Sequence, residues 1–235
     1  MCFYKSRHAF TLSEVLITLG IIGVVAAITL PTLVAKYQEF IFRTKWKSEY
    51  SKIANAFIMT RNEFEIPDSG EMFSSKEEMR DILTEMRKKL GIKPEIYLSN
   101  RTDALFYKTL YGSQLGYATF GGYFDYGVKH YSIWHTNDGA TVYFRDNDYY
   151  DMFVIYIFVD VNGVDTAPNI LGKDMFTLVL TPKGACPIGG NCGYRPQYFR
   201  NSCTNSQEVY ATSYTGMHHN APMSGIGCSA EMLLK

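Results

Sequence analysis

The sequence predicts an α+β fold: a long N-terminal helix, membrane-spanning in its first half and amphipathic in its second, packed on a small antiparallel sheet, with a disulfide-stapled C-terminal region. Three observations predict it. One is a 21-residue stretch, residues 10–30, that holds a single charge. The second is a series of aromatic and β-branched segments beyond residue 104, and the third is a set of four cysteines confined to the last 50 residues. Composition narrows the classes further. The 235 residues hold 23 Lys+Arg against 23 Asp+Glu, so there is no basic footprint for a nucleic acid, and no nucleic-acid binding is expected. The 18 Tyr and 15 Phe suit β-structure and argue against disorder.

The first element is built in three parts. Residues 1–9 are short and basic, with Lys5 and Arg7 and no acid. Residues 10–30 carry only Glu14, and a helix of that length spans roughly 30 Å, the thickness of a bilayer core. Pro31 follows and should kink or locally melt the helix. A secretory signal peptide would have a shorter apolar run and a small-residue cleavage site before a polar start, and neither is present. A plain anchor has the right length but leaves Glu14 unexplained, because a carboxylate in an apolar helix is costly without a partner. The basic residues before the span place the N-terminus in the cytoplasm and residues 36–235 outside it.

The run Ala9-Phe10-Thr11-Leu12-Ser13-Glu14-Val15-Leu16 resembles the prepilin cleavage and methylation motif of type IV pilins and type II secretion pseudopilins. The resemblance covers about residues 5–40. It implies that a prepilin peptidase cuts between Ala9 and Phe10 and methylates the new amine, leaving the apolar segment on the mature chain. Glu14 then becomes the fifth mature residue and Pro31 the twenty-second, as in the family. Ala9 departs from the usual glycine, although it is also small. The resemblance further implies that Glu14 neutralises the N-terminal amine of a neighbouring subunit, so that a wrong axial register leaves two charges unpaired. Gly20, Gly23, Ala26 and Ala27 keep one helix surface thin for close packing.

Residues 31–65 continue the helix, with Leu33, Tyr37, Phe40, Ile41, Trp46, Tyr50, Ile53, Ala54 and Phe57 along one wide stripe. The segment 66–70 ends it, and the exported domain occupies 66–235. Ser74 or Ser75 caps a second helix whose acids come early and bases late, with Gly91 at its end. Strands are expected in YATFGGYF, ATVYFR, FVIYIFVDV and MFTLVLT, with turns at Asn137-Asp138-Gly139 and Asn162-Gly163. None of the commonest enzyme signatures occurs, so the chain is not expected to be an enzyme.

Cys2 lies in the leader and would be lost on processing. Cys186, Cys192, Cys203 and Cys228 remain, an even number that suits two disulfides in an oxidising compartment. Three connectivities are open, of which Cys186–Cys192 with Cys203–Cys228 is favoured. Asp160, Asn162, Asp165, Asn169 and Asp174 supply hard oxygen donors at short spacing, as calcium requires. The run is similar to the calcium-holding loop of major pseudopilins. Its alternative is a turn whose polar side chains cap backbone groups.

These features lead to a structural subunit that assembles with other pilin-like subunits, in a homo- or hetero-filament. The resemblance implies as partners a prepilin peptidase, an inner-membrane assembly platform and the membrane itself. It places the chain in the bacterial inner membrane as a single-pass protein, and then in a cell-surface pilus or a periplasmic pseudopilus. The alternative is a membrane-anchored extracytoplasmic binding module, in which the helix is a tether and the aromatic sheet grips a ligand.

Overall fold

The computed structural model describes residues 11–70, 73–92, 107–114, 131–147, 154–191, 201–204, 206–207 and 224–234. Two compact units divide the chain, one ending at Ile41 and one beginning at Phe42. The described part of the first is the start of helix α1, which runs Leu12–Glu63. The helix keeps its assignment through Pro31, so the local melting expected there does not occur. A proline removes one amide donor and crowds the carbonyl four residues back. Here the hydroxyls of Thr29 and Thr32 bond the carbonyls of Val25 and Thr29, at 2.9 and 2.8 Å.

In the second unit the rest of α1 lies on a five-stranded antiparallel sheet in the order β1-β2-β3-β4-β5. The strands are Tyr131–His135, Thr141–Asn147, Val154–Asp160, Met175–Thr181 and Gly184–Pro187. Three of them coincide with expected segments. The strands β1 and β5 were not anticipated, and YATFGGYF lies outside the described residues. In register, Phe144 faces Ile157 and Ile157 faces Leu178, while Val142 faces Val159 and Val159 faces Phe176. These residues line one sheet face, and the core forms between that face, α1 and α2 (Lys76–Lys89).

The buried face of α1 is Phe42, Trp46, Glu49, Ile53, Ala56, Phe57 and Thr60, spaced by three and four as one side of a helix requires. The stripe therefore begins later than its pattern suggests. Leu33, Tyr37 and Phe40 are all at least 60 % exposed. Trp46 stacks on Phe176 with ring centroids 5.0 Å apart and donates its indole N–H to the carbonyl of Ser229 at 2.9 Å. Tyr50 donates to Ala185 O at 3.0 Å and Arg61 to Pro182 O at 3.1 Å, which tie the same helix to β5 and the β4–β5 turn.

Both helices end in the same way. At α1, Ile66 N bonds Arg61 O and Glu65 N bonds Asn62 O, with Glu65 itself in the left-handed region at φ 53°. At α2, Ile92 N bonds Arg87 O and Gly91 N bonds Lys88 O, with Gly91 at φ 65°. Each is the paired bonding that spends a helix's last carbonyls. Ser75 caps the start of α2 by accepting from Glu78 N at 3.1 Å, and Met79, Ile82 and Met86 bury its inner face. Helix α3 (Cys228–Leu234) follows a described turn, and its Ser229 hydroxyl accepts from Thr177 N at 2.7 Å.

Candidate assembly helix and loop sites

Near its N-terminus α1 is apolar, with an 18-residue window of mean hydropathy 2.3, and that window is not buried in the chain itself. Leu16, Ile17, Leu19, Ile21, Ile22, Val24 and Val25 are all more than half exposed. A Cβ placed on Gly20 or Gly23 would meet nothing within 4 Å, so neither glycine is required by packing among the described residues. The apolar surface is long enough to cross a bilayer.

The helix starts at a reciprocal cap. Thr11 Oγ1 accepts from Glu14 N at 3.3 Å, while Glu14 Oε2 accepts from Thr11 N and from Thr11 Oγ1, both at 2.8 Å. The spacing Thr-x-x-Glu is a capping box, and it satisfies two of the amides that a helix start leaves orphaned. Sequence reasoning gave Glu14 a role toward a neighbour's amine and passed over this local one, although the spacing itself was the signal. Ala9 and Phe10 lie outside the described residues.

The loop from β3 to β4 gathers the oxygen-bearing residues proposed as calcium ligands. Asp160 Oδ1 accepts from Asn162 N at 3.1 Å and Gly163 N at 3.0 Å, and its Oδ2 accepts from the Tyr107 hydroxyl at 2.6 Å. Asp174 accepts from Asn169 N at 2.8 Å and Ile170 N at 2.6 Å. The amide groups of Asn162 and Asn169 donate to Thr166 O, Ala167 O and Val164 O. Asp165 is exposed and stands apart from this bonding. Burial pushes the Asp160 carboxyl up to about 6, against the hydrogen bond from Tyr107, and burial also raises Asp174.

As a donor set for a hard cation this arrangement is partial. The carboxylates of Asp160 and Asp174 are already spent on N–H and O–H donors of the chain. Among the described residues no group of three or more His, Cys, Asp or Glu is placed to hold a metal. Besides the exposed Asp165, what remains are Asn162 Oδ1 and Asn169 Oδ1, both buried and without a hydrogen-bond partner among the described residues. Through these bonds the polar side chains hold the loop's own backbone.

Cys203 and Cys228 form a disulfide with Cα atoms 4.7 Å apart. Cys186 is disulfide-bonded as well, and Cys192, its favoured partner, lies outside the described residues. The Cys203–Cys228 bridge fastens α3 where glycines admit close backbone approach. A Cβ on Gly225 would collide with Leu171 O, and Gly225 sits at φ 101°.

Residues 4–30 match the family model of the prokaryotic N-terminal methylation motif. The chain carries a prepilin-type N-terminus. That is the signature of type IV pilins and pseudopilins, which in general are processed by a prepilin peptidase and assemble into filaments. The match spans the prepilin-type start of α1 and stops short of the sheet. No curated protein and no solved structure matches the chain. The prepilin-type motif and the long apolar helix together fit anchoring in the inner membrane.

Proposed function

We propose that the chain is a structural subunit of a type IV pilus-like or type II secretion pseudopilus filament, cut between Ala9 and Phe10 and assembled through its N-terminal helix. The observation that carries this reading is the pairing of two features in one segment. A prepilin-type motif sits at the head of an apolar helix surface whose side chains are exposed among the described residues. Stored in the bilayer, that surface has lipid around it, and in a filament it has other helices. Glu14 then meets the amine of a neighbouring subunit and sets the axial register, while the sheet unit is displayed outward on the exported side.

Mass spectrometry of the membrane-extracted protein tests the processing step. A mature chain beginning at methylated Phe10 is expected, and an intact Met1 or cleavage beyond the apolar run would refute it. Filament incorporation of Glu14→Val tests assembly. A simple tether has no use for Glu14, so normal incorporation of this variant would favour the membrane-anchored binding module.

A second reading concerns calcium at the β3–β4 loop. The unpartnered amide oxygens of Asn162 and Asn169 favour it, since buried acceptors without donors are uncommon. Thermal unfolding with calcium chloride against a chelator checks it. Calcium should raise the midpoint of the natural sequence and leave Asp174→Asn unmoved, and equal midpoints for the natural sequence would dismiss the ion.

A further inference from the structure

We infer that Thr11 is a positioning residue for assembly, holding the Glu14 carboxylate in place at the helix start before the partner amine arrives. This rests on the filament reading above and adds to it a residue with a defined task. Four contacts carry the inference. Glu14 Oε2 accepts two hydrogen bonds from Thr11, Glu14 N donates one to Thr11 Oγ1, and Val15 N donates to Thr11 O at 3.3 Å. The hydroxyl also lies 3.1 Å from the Ser13 hydroxyl.

The physical consequence follows from how a glutamate behaves at a helix start. Its side chain is long, and fixing it costs rotamer freedom. The cap orders it beforehand. Oε2 is committed to Thr11, and among the described residues Oε1 has no partner, so one oxygen is anchored and the other is presented.

A second effect acts in the same direction. Helix N–H groups near the start have no partner within the helix, and in a medium without water they must find one. Thr11 Oγ1 takes the Glu14 amide, which leaves the carboxylate free of that demand. A valine at position 11 keeps the shape and the backbone N–H but removes the hydroxyl, so one oxygen anchor is lost and one amide is orphaned. A serine keeps the hydroxyl.

The test compares full-length Thr11→Ser, Thr11→Val and Glu14→Val with the natural sequence, expressed in the filament-forming host. The readouts are the mass of the mature N-terminus and the fraction of subunits in sheared filaments. Processing should be complete in all four, which removes cleavage as an explanation. Incorporation should fall about fivefold in Thr11→Val, the scale of one lost cap, and should return to within about twofold of the natural level in Thr11→Ser. Equal incorporation of Thr11→Val and the natural sequence, or no rescue by serine, would overturn the positioning role. Normal incorporation of Glu14→Val would instead overturn the filament reading itself, so the two failures are told apart by different variants.

Discussion

The two ends of α1 obey opposite rules. Near its start the side chains are more apolar and almost wholly uncovered, whereas from Phe42 onward fewer apolar residues suffice because the sheet covers them. Each end also holds one carboxylate in an unusual setting. Glu14 is exposed and held by its neighbour Thr11. Glu49 is 3 % exposed and shares Lys52 with Asp138, at 2.7 and 2.6 Å from the ammonium. Burial is the main influence on Glu49 and pushes its carboxyl up, while Lys52 works against it. The difference teaches that apolar content does not locate a core. What locates it is whether another part of the same chain supplies the opposing surface.

The sharpest way to break this contrast is to truncate one residue from each end. Trp46→Ala should destabilise the sheet unit by about 3–5 kcal/mol, since it deletes a fully buried ring and its bond to Ser229. Ile22→Ala, at a position 63 % exposed, should move the same unfolding midpoint by less than about 0.5 kcal/mol. Denaturant melts of the detergent-solubilised chain measure both, and similar losses would erase the distinction.

Opening the Cys203–Cys228 bridge comes next in size. The two residues are 25 apart, and releasing a loop of that length costs about 3 kcal/mol in the chain-entropy picture. Because Ser229 adjoins Cys228 and accepts from Trp46, the Cys203→Ser, Cys228→Ser pair should loosen the buried end of α1 and leave the exposed end alone. Hydrogen exchange along the helix reads this directly.

The carboxylates give a smaller, pH-dependent contrast. With its folded pKa above 4.5, Glu49 binds a proton in the folded unit before it does so in the unfolded chain. Stability from this group therefore grows as pH falls through the raised value and is complete below 4.5. Glu49→Gln should remove that component, so the two stability-versus-pH curves converge toward acid and separate toward neutral pH. Parallel curves would rule out the buried setting. Smallest of all, Glu65→Gly should stabilise the unit by about 0.5–1 kcal/mol, because it relieves a left-handed residue at the end of α1. A fall in the midpoint would count against that cap.

Much of this could be read before any coordinates. Residues 10–30 announce a span by length and lack of charge, and Phe10-Thr11-Leu12-Ser13-Glu14 carries the prepilin-type signature. The cores of β2, β3 and β4 are dense in β-branched and aromatic residues, and Gly91 and Ser75 mark the ends of α2. What stayed hidden depended on partners distant in sequence. Leu33, Tyr37 and Phe40 continue the apolar pattern of the buried face, yet no local feature says that cover begins only at Phe42. Strand β5, Gly-Ala-Cys-Pro, takes its conformation from its pairing with β4 rather than from its own preferences, whereas β1, Tyr-Ser-Ile-Trp-His, carries strand formers in a run too short to stand out by itself. In the acidic loop, oxygen donors at short spacing serve either a cation or the backbone. Spacing alone does not say which group claims them.

The bond between Trp46 and Ser229 joins residues 183 apart in sequence. The buried face of α1 is covered by the sheet and α2, and this bond adds the start of α3 to it from far along the chain. Loop closure of that length is slow and is not rewarded until the far partner docks. One indole N–H thus ties the first described helix to the last, across 183 residues of sequence.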